Sequence, residues 1–314
     1  MRLLSPPLIA VLVTALASTR MQPQGFPQRS DHDLRVALER RIAAQPGAEV
    51  ALWFEDLASG RMLGIADTLS FHAASTMKVP VMFELFRRAD EGTIDLEARI
   101  LLTNRFASIV DGSPYALVAE DDSDDALYDR IGAPISLREL NERMIVRSSN
   151  LATNALITRL DPTRVTAVAR QHGGEGVLVL RGVEDGVAFR AGLNNVTTAL
   201  GLGKLLAALE RGQVASPWAT QEMRTALLHQ EFNDEIPAGL PPGTRVAHKT
   251  GWITATTHDA AIVYPPGRTP FVLVILTRAI PERADAQRLI ADLARIVWES
   301  YAAITAPREP AAAR

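Results

Sequence analysis

The chain of 314 residues contains no cysteine. That excludes disulfides, thiolate nucleophiles, zinc–thiolate sites and lipid attachment at a thiol. Basic residues are not in excess either: 33 Lys and Arg face 36 Asp and Glu, for a net charge of −3. With no basic stripe to hold a polyanion, nucleic acid is not an expected partner. No apolar run is long enough to cross a bilayer comfortably. H-E-x-x-H and the G-x-S-x-G nucleophile elbow are absent, and His32, His72, His172 and His229 show no metal spacing. Gly201-Leu202-Gly203-Lys204 lacks the glycine spacing and the hydroxyl of a phosphate loop. No metal and no cofactor are expected. What remains, 47% hydrophobic and 22% charged residues, is an ordinary globular composition able to bury a large core.

Met1-Arg2 is a short positive start, Leu3 to Ala17 is mostly apolar, and Ala15-Leu16-Ala17 supplies a small-x-small cleavage pattern. Residues 1–17 therefore read as an export signal, with an uncleaved anchor as the alternative. The expected location is the periplasm or the medium, with no membrane contact beyond that signal. Residues 18–32 read as a linker, 33–305 as one folded domain and 306–314 as a tail.

A helical pattern over Asp33–Gln45 precedes strands at Glu49–Asp56 and Arg61–Ile65. Helices follow at Met77–Glu91 (amphipathic), from a Ser136-x-x-Glu139 capping box to Val146, and at Asn150–Leu160. More are expected from Asp161-Pro162 to His172, at Thr197–Arg211 and at Ser216–Leu228. Strands return at Arg245–Lys249, Thr256–Tyr264 and Pro270–Thr277, before a last helix over Pro281–Ile304. This order predicts an α+β fold: one antiparallel sheet built from N- and C-terminal segments, packed against an inserted helical block. Asn104–Asp125 carries six acidic residues without periodicity. It lacks the order of a calcium loop, so it reads as a solvated loop.

Three short clusters carry chemistry. Ser75-Thr76-Met77-Lys78 sets a hydroxyl and an amine three residues apart at a helix start, where they share a face. A buried lysine that loses its proton near neutral pH can activate the serine. By itself the tetrapeptide is weak, since about one Ser-x-x-Lys is expected by chance in a chain of this length. Ser148-Ser149-Asn150 lies between two helices, where the plain alternative is capping. His248-Lys249-Thr250-Gly251 ends a strand; Lys249 and Thr250 suit a substrate carboxylate, and Gly251 suits close approach of a ligand.

In this order, and on these element types, the clusters resemble the S-x-x-K, S-D-N and K-T-G set of class A β-lactamases and their penicillin-recognising relatives. The likeness runs from about Asp33 to Ile304. It implies a β-lactamase/D,D-peptidase-like fold and β-lactam hydrolysis through an acyl-enzyme on Ser75. It further implies Lys78 as base, Ser148 as proton relay, Asn150, Lys249 and Thr250 as substrate contacts, and the backbone N–H groups of Ser75 and Trp252 as the oxyanion hole. Glu184, 34 residues after Asn150, would hold the deacylating water. Two departures stand out: the second motif has serine in place of aspartate, and Ala188 stands where an asparagine usually follows the glutamate. His258 could approximate a basic residue beyond the third motif, or be an ordinary strand histidine. A monomer acting on a small β-lactam is expected. A D,D-peptidase and a non-enzymatic β-lactam sensor or acyl-trap are the alternatives.

Overall fold

A computed structural model describes residues 30–304, with side chains to Tyr301; the leader and the tail lie outside the described residues. Helix α1 (Asp31–Ala43), opened by a reciprocal capping box between Ser30 and Asp33, leads into the hairpin β1 (Glu49–Asp56)–β2 (Met62–Ile65). A short β3 (Phe71–His72) and a 3₁₀ turn (Ala74–Met77) precede α2 (Lys78–Asp90). Small strands β4 (Arg99–Leu101), β5 (Phe106–Ala107), β6 (Pro114–Tyr115) and β7 (Pro134–Ser136) lead to helices α3 (Leu137–Val146), α4 (Asn150–Leu160) and α5 (Pro162–Gln171). After α6 (Gly186–Arg190) and β8 (Val196–Thr197) come α7 (Ala199–Glu210) and α8 (Pro217–Leu228). The chain closes with β9 (Arg245–Ile253), β10 (Thr256–Tyr264), β11 (Phe271–Arg278) and α9 (Arg283–Ile304).

The main sheet has the order β2-β1-β11-β10-β9 and is antiparallel throughout. First and last strands meet in one sheet, which is possible only with the helical block inserted between them. Alternation along the strands sorts two cores. Ala51, Trp53, Val272 and Val274 face the helical block, while Leu52, Phe54, Leu273 and Ile275 face α1 and α9. The sheet is thus the middle layer of three.

Three expectations need correction. The α2 segment is not amphipathic in place: Lys78 to Phe86 are all buried, because α2 runs through the middle of the helical block. Its one internal carboxylate, Glu84, is satisfied by Arg87 at 3.3 Å and Arg164 at 3.2 Å. The capping box at α3 forms only by half: Ser136 accepts the Glu139 N–H, but the Glu139 side chain turns to Arg130 and Arg143. The acidic stretch is a solvated loop only in part: Asp111, Glu120, Asp121 and Asp125 are exposed, as expected. It contains the β5–β6 ladder, and Asp122 and Asp124 point inward. Backbone N–H groups and the guanidiniums of Arg143 and Arg147 satisfy these two carboxylates, which removes the need for water.

Candidate active site

The Ser75 turn and strand β9 are pressed together. A Cβ added at Gly251 would lie 2.8 Å from the Ser75 nitrogen and 3.0 Å from that of Thr76. Gly251 therefore admits the backbone of the serine turn, not a ligand as its sequence position suggested. The contact fixes Ser75 against the strand that carries Lys249, Thr250 and Trp252. The Ser75 hydroxyl has no hydrogen-bond partner among the described residues.

Lys78 opens α2 and is fully buried. Its Nζ donates to the Ser148 carbonyl at 2.6 Å, to Ser148 Oγ at 3.2 Å and to Asn150 Oδ1 at 3.0 Å. Ser148 has a φ of 57°, a left-handed conformation that costs about 1–3 kcal/mol in a non-glycine residue. In that conformation its carbonyl and hydroxyl both meet Lys78. From the other side Lys249 Nζ donates to the same Ser148 Oγ at 3.0 Å and to the Thr250 carbonyl at 3.0 Å. The Thr250 hydroxyl is buried without a hydrogen-bond partner among the described residues. Ser149 does cap α4, accepting the Ala152 N–H at 3.2 Å. The capping and chemical readings of this cluster thus fall to different residues.

Burial pulls the Lys78 amine down to about 7, against the opposing carboxylates of Asp122 and Glu184. Burial holds Lys249 well below its ordinary range as well, and the neighbouring Lys78 adds to that. Loss of water pushes the Glu184 carboxyl above the usual range; Asp121 reinforces the shift, while Lys78 and Arg181 oppose it.

Glu184 sits on a loop between α5 and β8, its carboxylate 3.3 Å from Asn150 Nδ2. The loop is held from three directions. Asn154 Oδ1 accepts the Val183 N–H at 2.7 Å, and its Nδ2 donates to the Val183 carbonyl at 3.0 Å. Asn195 accepts the N–H groups of Leu180 and Arg181 and returns a bond to the Arg181 carbonyl. Asp185 caps α6 and accepts the Ile109 N–H at 3.0 Å, tying the loop to the β5–β6 segment. Ala188 is buried and gives its N–H to Asp185, so nothing at that position serves Glu184.

Ser75, Asn150, Glu184 and Trp252 border one cavity of about 390 Å³, together with His72 and Arg190. The Trp252 ring packs edge-on against Phe232 at 5.1 Å between centroids, under the Arg283 guanidinium. Lys78, Ser148 and Lys249 lie in the hydrogen-bonded layer joined to Asn150. His258 is not part of the site. It is fully buried, its Nε2 lies 2.9 Å from the His72 carbonyl, and burial lowers it to about 4, so it is neutral at neutral pH. Its neighbour Asp259 points across the sheet to His248, 3.0 Å away. Among the described residues no group of three or more His, Asp or Glu side chains is arranged to hold a metal.

Sequence reasoning missed Asn154, Asn195 and Asp122. Asn154 lies one helical turn after Asn150, on the same face of α4, and that spacing is the signal that could have found it. Asp122 carried no such signal.

The sequence pattern of the family described as "Beta-lactamase enzyme family" matches residues 33–301. A β-lactamase of Streptomyces albus G is 28% identical over 294 residues, covering 91% of this chain and 90% of the relative. β-Lactamase AST-1 of Nocardia asteroides is 27% identical over 307 residues, 95% of each. Among solved structures, PBP-A superposes with a TM-score of 0.74 at 25% identity, covering 88% of this chain and 98% of the other. An ancestral class A β-lactamase gives a TM-score of 0.73 at 28% identity, covering 85% of this chain and 99% of the other.

Proposed function

The chain belongs to the class A β-lactamase family, and from that premise we propose that it hydrolyses β-lactams through an ester on Ser75. The observation that carries the reading is the shared cavity: Ser75 and Glu184 open onto the same space, with Lys78 beneath at a pKa of about 7.

In the proposed cycle Ser75 Oγ attacks the lactam carbonyl. Its proton passes to neutral Lys78, directly or through a water on the Glu184 side. The neutral amine has two N–H donors for the three acceptors that surround Nζ. One contact is then released, and the Ser148 hydroxyl can donate to the amine. Collapse of the tetrahedral species breaks the carbonyl C–N bond, and Ser148 hands the nitrogen a proton drawn from Lys78. The backbone N–H groups of Ser75 and Trp252 are suited to the oxyanion, a contribution of about 3 kcal/mol for one such donor in comparable sites. Lys249 and Thr250 are available to the substrate carboxylate and Asn150 to the acylamino group. Glu184 then takes a proton from water as its oxygen attacks the ester carbonyl; collapse breaks the ester C–O bond, and the proton held by Glu184 returns to the departing Ser75 Oγ, which restores both groups.

A D,D-peptidase reading draws on one specific feature: Asn150 is the one amide side chain hydrogen-bonded to Glu184 among the described residues. A water held so sparely would deacylate slowly. Export, inferred from the Met1–Ala17 leader, and action as a monomer are parts of the same proposal. The test is nitrocefin turnover with fluorescent-penicillin labelling. Wild type should turn nitrocefin over, and Ser75→Ala should neither turn over nor label. Labelling that survives the substitution contradicts the ester on Ser75.

A further inference from the structure

We infer that Asp122 is a positioning residue, holding the Ser148–Asn150 turn in place from a segment outside the three motifs. The inference rests on the acyl-enzyme reading for what that turn does. The second motif has no carboxylate of its own, yet the first turn of α4 receives one. Asp122 is only 7% exposed. Its two oxygens accept the Asn150 N–H at 3.0 and 2.9 Å, and Oδ2 accepts the Leu151 N–H at 2.9 Å. These are helix-start N–H groups, which have no acceptor inside the helix. Ser149 serves the next one, Ala152, so the cap is divided between two segments 27 positions apart in sequence.

The neighbours of Asp122 complete the grip. Ser123 Oγ donates to the Arg147 carbonyl at 2.7 Å, and Asp124 accepts from Arg143 at 2.9 Å and Arg147 at 3.4 Å. Tyr128 donates its hydroxyl to Asp122 at 3.1 Å, and the Asp124 N–H adds a bond at 3.1 Å. Residues 147, 148, 150 and 151 are thereby all bound by one acidic segment. The Asp122 charge also lies at the positive end of α4, where a carboxylate is favoured. Around Lys78 the charged or titratable groups are Asp122 and Glu184, which favour its ammonium, and Lys249, which shares its acceptor. The carboxylate that holds the motif's backbone thus also biases the base.

The test uses the full chain carrying Asp122→Asn, read by hydrogen exchange and by the pH profile of single-turnover acylation. Exchange at residues 150 and 151 should accelerate about tenfold or more, the loss expected for a charged hydrogen bond. The acid limb of acylation should move down by about one pH unit, as expected when a nearby opposite charge is removed from Lys78. A lower rate with an unmoved limb and unchanged exchange overturns the inference. Should that variant not fold, Tyr128→Phe carries the test. It keeps the charge and removes a donor, so the limb should move toward higher pH, and an unmoved limb counts against the inference. Failure of the acyl-enzyme reading itself would appear elsewhere, as labelling that survives Ser75→Ala.

Discussion

Lys78 and Lys249 direct their amines at one oxygen, Ser148 Oγ, from 3.2 and 3.0 Å. Both are buried, and the chain has only one other lysine, Lys204. Two ammoniums sharing a single neutral acceptor in a buried site are unfavourable, which favours the neutral form of each. In the proposed cycle, one hydroxyl between two amines of lowered proton affinity serves as a short route for a proton between Ser75 and a leaving nitrogen.

Acylation should carry the signature of that arrangement. With Lys78 at about 7, its protonated form dominates below that pH and cannot accept the Ser75 proton. Single-turnover acylation is expected to fall as pH drops through about 7, and Lys78→Ala to lower it by about 10²- to 10⁴-fold. Stopped-flow acylation across pH checks both; a rate unchanged in Lys78→Ala removes the lysine from the mechanism.

The same burial has a stability consequence. The folded-state pKa of Lys78 is lowered from 10.5 to about 7. Between those values the unfolded chain binds a proton that the folded chain does not, so this residue makes stability rise with pH across the window. Lys78→Met should flatten that rise. Urea unfolding of both proteins between pH 7 and 10 measures it, and equal slopes contradict a buried, depressed lysine.

Most of the fold was legible in the sequence, because hydrophobic period and caps are local. The ranges of β1, α4 and β10 match expectation to the residue, and Asp161-Pro162 and Ser216-Pro217 open helices as their order implied. The three motifs were legible because each is contiguous. What was not legible is what acts at a distance. Strand β9 runs on through Gly251 to Ile253 because β10 pairs it that far. Asp122 and Asp124 look like surface charge until α4, Arg143 and Arg147 are folded against them. The same holds for His258, whose burial under the His72 carbonyl no local pattern announces.

Two glycines should be intolerant for a stated reason. A Cβ at Gly251 meets backbone nitrogens at 2.8 and 3.0 Å, so the Ser75 turn itself must move. Gly251→Ala is expected to cut acylation about 10²-fold, as a misplacement near 1 Å does. A Cβ at Gly182 meets Asn154 Oδ1 closer still and displaces the amide that holds Val183. Gly182→Ala and Asn154→Ala should therefore slow deacylation more than acylation. Separate acylation and deacylation rates check the contrast; equal losses in both steps would place the loop outside the deacylating machinery.

The proposed cycle makes hydrolysis of the ester depend on Glu184, and intact-mass spectrometry over time tests that most directly. After mixing with benzylpenicillin, the wild type should show free enzyme within the dead time. Glu184→Gln should accumulate one covalent adduct of penicillin mass on Ser75 and hold it, because the water has lost its base. An adduct equally long-lived in both proteins, or one in neither while the mutant still turns over, contradicts a β-lactamase that deacylates through Glu184.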